Sequence, residues 1–147
     1  MDEPKIHLEL LTTITDEDAD SLSALLKQLS STAAFDRARF QAGLEHDGVD
    51  VLAARSRGRI VGMATFVDIP LPTGRRGHVE DVVVHEEMRG RGIARMLLQR
   101  MTMMAAEREM RSLDLTSRPS RESAIRLYES IGFVRRETNV LRFTPEH

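Results

Sequence analysis

The stretch VEDVVVHEEMRGRGIARMLL, Val79 to Leu98, runs from two adjacent carboxylates through three valines into an Arg- and Gly-rich turn and then into a helical pattern. Three consecutive β-branched residues suit a strand covered on both faces. From Ile93 the apolar residues Ala94, Leu97, Leu98, Met101, Met104 and Ala105 recur at helical spacing. A glycine-bearing turn that leaves a buried strand and starts a helix presents unpaired N–H groups at the positive end of the helix dipole, which makes an anion site. Gly90 and Gly92 let the main chain approach an anion closely, and Arg89, Arg91 and Arg95 add charge. The turn is therefore read as phosphate-binding. It is no P-loop, because GRGIAR lacks the Gly-Lys-Ser/Thr that meets a nucleotide and its magnesium ion, and it is no dinucleotide fingerprint. A flexible RNA-binding Gly-Arg segment is disfavoured by the strand and helix patterns that flank it tightly.

Working outward, the periodicities give eleven elements. IHLELL reads as a first strand. Thr15 with Asp16, Glu17 and Asp18 caps a helix whose Ala19, Leu22, Leu25, Leu26 and Leu29 share a face, ending near Ser30 to Thr32. A second helix is expected over Phe35 to Leu44. VDVLAARS and RIVGMATFV, separated by RGR, read as a hairpin. DIPLPTGRRG, with two prolines and two glycines, reads as a loop before HVEDVVVH. After the helix from Ile93 come a strand at LDLTS and a helix capped by Ser120, with Ala124, Leu127, Tyr128 and Ile131 on one face and Gly132 at its end. FVRRE and NVLRFT read as two closing strands. The expectation is an α/β (α+β) fold, a mixed, mostly antiparallel sheet of about seven strands with about four helices on its faces.

At 147 residues the chain suits one domain, 1–147, and shows no repeat or linker that would divide it. A formal net charge of -2 argues against a nucleic-acid partner. Of the 21 basic residues only Lys5 and Lys27 are lysines, so nearly every positive charge is a guanidinium. With no cysteine there is no disulfide, thiolate zinc site or cysteine nucleophile, and the five histidines show no metal-ligand spacing, so no metal is expected. MDEPKIHLEL carries no basic segment leading into an apolar run, and no window approaches a membrane span. A cytoplasmic protein without a membrane partner is the default.

Two motifs carry a resemblance. Arg89, Gly90, Arg91, Gly92, Ile93 and Ala94 match the acyl-CoA motif of the GCN5-related N-acetyltransferases, and RESAIRLYESIGF matches that family's second motif of Asn-x-x-Ala, Leu-Tyr and Gly-Phe. Arg121 stands where many members carry the asparagine. GHVEDVVV resembles the glucosamine-6-phosphate acetyltransferases within the family, while the later motif matches that subgroup less well. The resemblance implies a single acyl-CoA N-acyltransferase domain that uses acetyl-CoA as cosubstrate, without a metal, and transfers acetyl to a primary amine.

That chemistry needs a deprotonated amine, a polarised carbonyl and a protonated leaving thiolate. By the resemblance, the main chain of Val82, Val83 and Val84 binds the pantetheine and thioester, and Arg89 to Ala94 with Arg95 binds the pyrophosphate. Arg121 then reaches a CoA phosphate or the acceptor. Tyr128 is the proton donor to the thiolate; the bland alternative is a half-buried core aromatic. Glu80 is the first choice for general base and Asp81 the second, pointing to opposite faces of a regular strand. His78 shares the parity of Glu80, and His85 is expected to be solvated. Arg75 and Arg76, on the proline-rich loop, hint at an acidic or phosphorylated acceptor. Methionines 96, 103 and 110 are read as core. The acceptor is a small-molecule or peptide amine. Family members often dimerise, which leaves a homodimer open. A non-catalytic acyl-CoA-binding or sensing module is the rival, since it needs the turn but neither Tyr128 nor a carboxylate.

Overall fold

The computed structural model describes residues 5–146; Met1 to Pro4, part of the stretch read for an export signal, and His147 lie outside it. The chain divides into two units, Met1–Thr116 and Ser117–His147. In the first, β1 (Ile6–Leu10) leads to α1 (Asp16–Leu29) and α2 (Arg37–Glu45), followed by β2 (Val49–Ser56), β3 (Arg59–Leu71) and β4 (Gly74–Val84). A 3-10 turn at Glu86–Met88, α3 (Ile93–Glu107) and β5 (Ser112–Asp114) complete it. The sheet order is β1-β2-β3-β4-β5, antiparallel except for the β4/β5 pair. That parallel pair requires a crossover, which α3 supplies.

Local chemistry explains most boundaries. Thr15 and Asp18 form a reciprocal capping box, with the Asp18 N–H donating to Thr15 Oγ1 at 3.1 Å and the Thr15 N–H to Asp18 Oδ2 at 3.2 Å. Arg55 of β2 then grips the Asp18 carboxylate at 2.8 and 3.1 Å, tying the first turn of α1 to the sheet. That grip, ahead of the Thr15 bonds, holds the Asp18 carboxyl below the usual carboxylate range. The β2–β3 turn places Arg57 and Gly58 in left-handed conformations, φ 51° and 82°, as a tight hairpin demands.

The two faces of the sheet are covered differently. Leu22 and Leu25 of α1, fully buried, pack on Val51, Ala53, Ile60, Met63 and Val83, with Phe35, Phe40 and Leu44 around them. On the opposite face, α3 buries Ile93, Leu97, Leu98, Met101 and Met104. Its C-terminus is pinned there by Arg108, whose guanidinium reaches Asp50 at 2.7 Å and lies 5.1 Å from the Phe66 ring centroid.

Four expectations are corrected. The stretch Asp68 to Gly77 is not a loop: β3 and β4 run through it and turn at Pro72–Thr73. β2 ends opposite Val67, so Pro70 pairs only with β4, and on such an edge its missing N–H costs no ladder bond. The sheet has five strands among the described residues, not about seven. Residues 133–146 have no regular structure, and Val134, Val140, Leu141 and Phe143 are exposed. Alternating apolar residues form a strand only where a neighbouring edge accepts their hydrogen bonds. Ser120 does not cap α4 (Glu122–Ile131). The Arg121 N–H bonds back to the Arg118 carbonyl, which puts Ser120 inside a turn and makes Arg121 the N-cap. Finally, Met103 is 55% exposed, so the row of methionines at heptad spacing is not core throughout.

Candidate functional site

The two carboxylates of β4 sit at a break in the sheet. Glu80 is opposite Thr65 and Val83 opposite Met63, so Asp81 and Val82 together face the single residue Ala64. This is a β-bulge, with Asp81 held at φ 51°. The extra residue resets the alternation, leaving Glu80 and Val83 on the α1 face, where regular pairing would have separated them. The expected opposition of Glu80 and Asp81 assumed an unbroken strand and does not hold in that simple form.

Just ahead of the break, after His78, β4 loses its other neighbour. β5 pairs only with Arg76, Gly77 and His78. The edge of β4 from Val79 onward is therefore unpaired on that side, and the valines predicted to offer main-chain groups, Val82 to Val84, lie on that unpaired run. One group there is already used: Gln28 of α1 donates from Nε2 to the Val84 carbonyl at 3.2 Å, while its Oε1 accepts from the Glu86 N–H at 3.4 Å. Gln28 thus clamps the exit of β4, a role invisible in sequence because its partners lie more than fifty residues away. Gln28→Leu keeps the bulk and removes both bonds. At about 0.5–1.5 kcal/mol per bond, loss of the pair costs the fold about 1–3 kcal/mol and should lower the melting temperature by several degrees. A thermal melt checks this, and an unchanged melting temperature would mean that the clamp adds nothing to stability.

After the clamp, His85 accepts from the Glu87 N–H at 3.2 Å and starts the 3-10 turn, so it serves as a cap rather than a freely solvated residue. Gly90 and Gly92 follow at φ 79° and 78°, and a Cβ built at either would meet nothing within 4 Å. Space and left-handed backbone coincide there. Gly92 is the N-cap of α3 and supplies no side-chain hydrogen bond. The contrast with α1, which has a capping box and three acids in its first turn, is informative. The first turn of α3 carries no acid, and its sequence Ile93, Ala94, Arg95 places a cation where the dipole disfavours one. Arg89 and Arg91 are exposed beside it and Arg95 is half-buried. An uncapped helix start ringed by guanidiniums fits a phosphate group.

The carboxylates have distinct surroundings. Glu80 Oε1 lies 3.0 Å from His78 Nε2, which bears out their shared face. Asp81 has an exposed side chain, yet desolvation by the surrounding protein, with a smaller contribution from the Glu80 charge, raises its pKa above the usual carboxylate value. The two predicted arginines separate. Arg75 donates from Nε to both Asp68 oxygens at 2.9 and 3.1 Å and from Nη1 to the Arg108 carbonyl, holding the Asp68 carboxyl below its usual range. It is held in a structural ion pair while staying exposed. Arg76 makes none of these contacts.

In the second unit, α4 carries Tyr128, half-buried, its ring 6.3 Å from that of Phe133 in an edge arrangement. No hydrogen bond engages its hydroxyl among the described residues. Gly132, at φ 125°, ends the helix as expected, its N–H and that of Phe133 both donating to the Tyr128 carbonyl. Arg118 and Arg121 are exposed. Among the described residues no group of His, Asp or Glu has the arrangement of a metal site, and no helix is long and apolar enough to cross a membrane.

The profile of the Acetyltransferase (GNAT) family matches residues 12–133. A glucosamine 6-phosphate N-acetyltransferase of Trypanosoma brucei brucei is 33% identical over 130 residues, covering 86% of this chain and 80% of its own. Among solved structures, a ribosomal-protein-alanine N-acetyltransferase from Brucella melitensis biovar Abortus 2308 superposes with a TM-score of 0.73 at 30% identity, over 94% of this chain and 99% of its own. An acetyltransferase from Trypanosoma brucei shares the fold with a TM-score of 0.80 at 24% identity, over 95% and 100% of the two chains.

Proposed function

Because the chain belongs to the Acetyltransferase (GNAT) family of acyltransferases, we propose that it moves an acetyl group from acetyl-CoA to a primary amine by direct attack in a ternary complex, both units forming one catalytic domain. The observation that carries this reading is the run of β4 from the bulge at Asp81, along an edge without β5, into the left-handed glycines at the start of α3. It aligns in sequence order what the substrate needs in chemical order. Main-chain groups of Val82, Val83 and the Val84 N–H bind the pantetheine amides and polarise the thioester carbonyl. The N–H groups of Ile93, Ala94 and Arg95, with Arg89 and Arg91, take the pyrophosphate across Gly90 and Gly92. Arg121, in place of the family's usual asparagine, adds charge for a CoA phosphate.

The amine must lose its proton to attack. Asp81 is now the better candidate than Glu80, since desolvation raises its pKa above the usual carboxylate value, as suits a general base, and its backbone is held in a sparsely populated conformation. Glu80, its Oε1 3.0 Å from His78 Nε2, holds the ammonium group before it is deprotonated. The nitrogen then bonds to the carbonyl carbon, the C–S bond breaks, and the leaving thiolate takes the Tyr128 hydroxyl proton. No acyl-enzyme is needed, and proximity supplies much of the acceleration.

The acceptor is a small-molecule amine. The curated relative named for glucosamine 6-phosphate puts amino sugars first, and the structural relative named for a protein alanine makes an N-terminal peptide the control. Titration with acetyl-CoA, followed by measuring thiol release against amines, amino sugars and peptides, tests the reading. Amine-dependent release establishes the transferase. Binding without release from any acceptor favours a sensing module. Tyr128→Phe should lower kcat by about 10- to 100-fold with acetyl-CoA affinity retained; an unchanged kcat would return Tyr128 to a packing role.

A further inference from the structure

We infer that the acceptor carries an anionic group, a phosphate or a carboxylate, and that Arg76 is the residue that selects for it. The inference rests on the acetyltransferase reading above. Adjacent in sequence, Arg75 and Arg76 point to opposite faces of β4, and the intervening geometry is fixed by Gly77. A Cβ at Gly77 would lie 2.9 Å from Leu113 Cδ1 and from Met110 Sδ, and 3.2 Å from Phe66 Cζ, so that position faces the α3 side. Arg76 and His78 therefore face the other side, with Glu80 opposite Thr65 in the same row. Arg75 is neutralised by Asp68 on the α3 side.

Arg76 is not neutralised. Its Nε is buried and has no hydrogen-bond partner, and no ion pair joins it to a carboxylate among the described residues. Two carboxylates share its face and leave it alone. Glu80 is engaged by His78, and Asp114 stands opposite His78 in the parallel β4/β5 register, whereas Arg76 stands opposite Ser112. A guanidinium cannot shed its proton to escape burial, as a lysine or histidine can, so a partly buried arginine without a countercharge carries a standing desolvation cost. An anion arriving with a substrate removes that cost and gains charge-assisted hydrogen bonds.

The position suits an acceptor. Along β4 the order is Arg76, His78, Glu80, the bulge at Asp81, then the valines proposed to hold the thioester. An amine at the carboxylates thus leaves the rest of its molecule running back toward Arg76. Four residues of strand span about 13 Å between the Cα atoms of Arg76 and Glu80, which sets the scale of the distance from the reactive nitrogen to the anion. A phosphorylated amino sugar or an amino acid fits within that span.

The test uses matched pairs: an amino sugar with its 6-phosphate ester, and a basic amino acid with its carboxamide. Thiol release at saturating acetyl-CoA gives kcat/KM for each. The charged member of one pair should exceed its neutral partner by about 10- to 100-fold, and which pair does so distinguishes phosphate from carboxylate. Arg76→Gln should collapse that ratio toward one, and Arg76→Lys should restore part of it. A ratio near one in the unaltered protein, or a ratio that survives Arg76→Gln, overturns the inference. Acetyl-CoA binding without turnover of any charged amine also overturns it while sparing the phosphate assignment. Absence of acetyl-CoA binding overturns the acetyltransferase reading itself.

Discussion

Asp81→Asn lowers kcat by about 100-fold or more, the usual contribution of a positioned general base, while leaving the fold intact and acetyl-CoA affinity close to that of the unaltered protein. Asparagine is the substitution of choice, because it tolerates the left-handed backbone at φ 51° as well as aspartate does. The pH behaviour adds a second readout. Desolvation by the surrounding protein and the neighbouring Glu80 raise the Asp81 pKa, so the acid limb of the rate profile lies above that of an ordinary carboxylate, and in the variant this limb is lost. Stability moves the other way. A carboxyl whose pKa is higher in the folded than in the unfolded chain binds more protons when folded, so its contribution to stability falls as pH rises from the unfolded value through the raised one. Ionising Asp81 is therefore a net cost to the fold, and above the raised value Asp81→Asn should melt no lower than the unaltered protein. Rate loss together with retained or increased stability identifies a catalytic group. The same loss from Glu80→Gln, with Asp81→Asn nearly silent, would reverse the two roles.

Gly92→Val weakens acetyl-CoA binding by at least about tenfold, which is roughly 1.4 kcal/mol. The reason is not a clash inside the protein, since a Cβ there meets no protein atom within 4 Å. Two other terms act together. A β-branched residue at φ 78° opposes the left-handed conformation, at a cost of about 1–2 kcal/mol or more, and the added methyl groups occupy the approach to the α3 N–H groups. Gly92→Ala, which brings the conformational cost with less bulk, should fall between. Calorimetric titration with acetyl-CoA, and separately with CoA lacking the acetyl group, checks the assignment. If both affinities survive Gly92→Val, the phosphate does not lie at this turn.

Local signals account for what could be read in the chain before any coordinates. The valine run, the uncapped Gly92, the apolar spacing from Ile93, the Thr15 box and the Arg57–Gly58 hairpin each depend on residues within a turn or two of one another, so composition and period suffice to find them. The proline-rich stretch misled for a related reason. Proline is a breaker only where its missing N–H is needed, and whether it is needed depends on where β2 stops. The strands expected after Gly132 failed likewise, because alternation says that a segment could pair, not that an edge is there to receive it.

By itself the sequence determined the element order through α4, the glycine- and arginine-rich make-up of the Arg89 to Ala94 turn, and the family motifs. These follow from covalent neighbours: glycine's freedom at positive φ, helix periodicity, and the charges fixed to the chain on either side. Only the tertiary structure decided how the chemistry is distributed. It placed Asp81 in a bulge and desolvated its carboxyl, which raises the pKa, brought Gln28 across more than fifty residues to the end of β4, and divided two adjacent arginines between the faces of a sheet. Asp68 took one of them and left Arg76 without a countercharge. Strand register and burial are cooperative properties of the packed sheet, and no residue carries them alone.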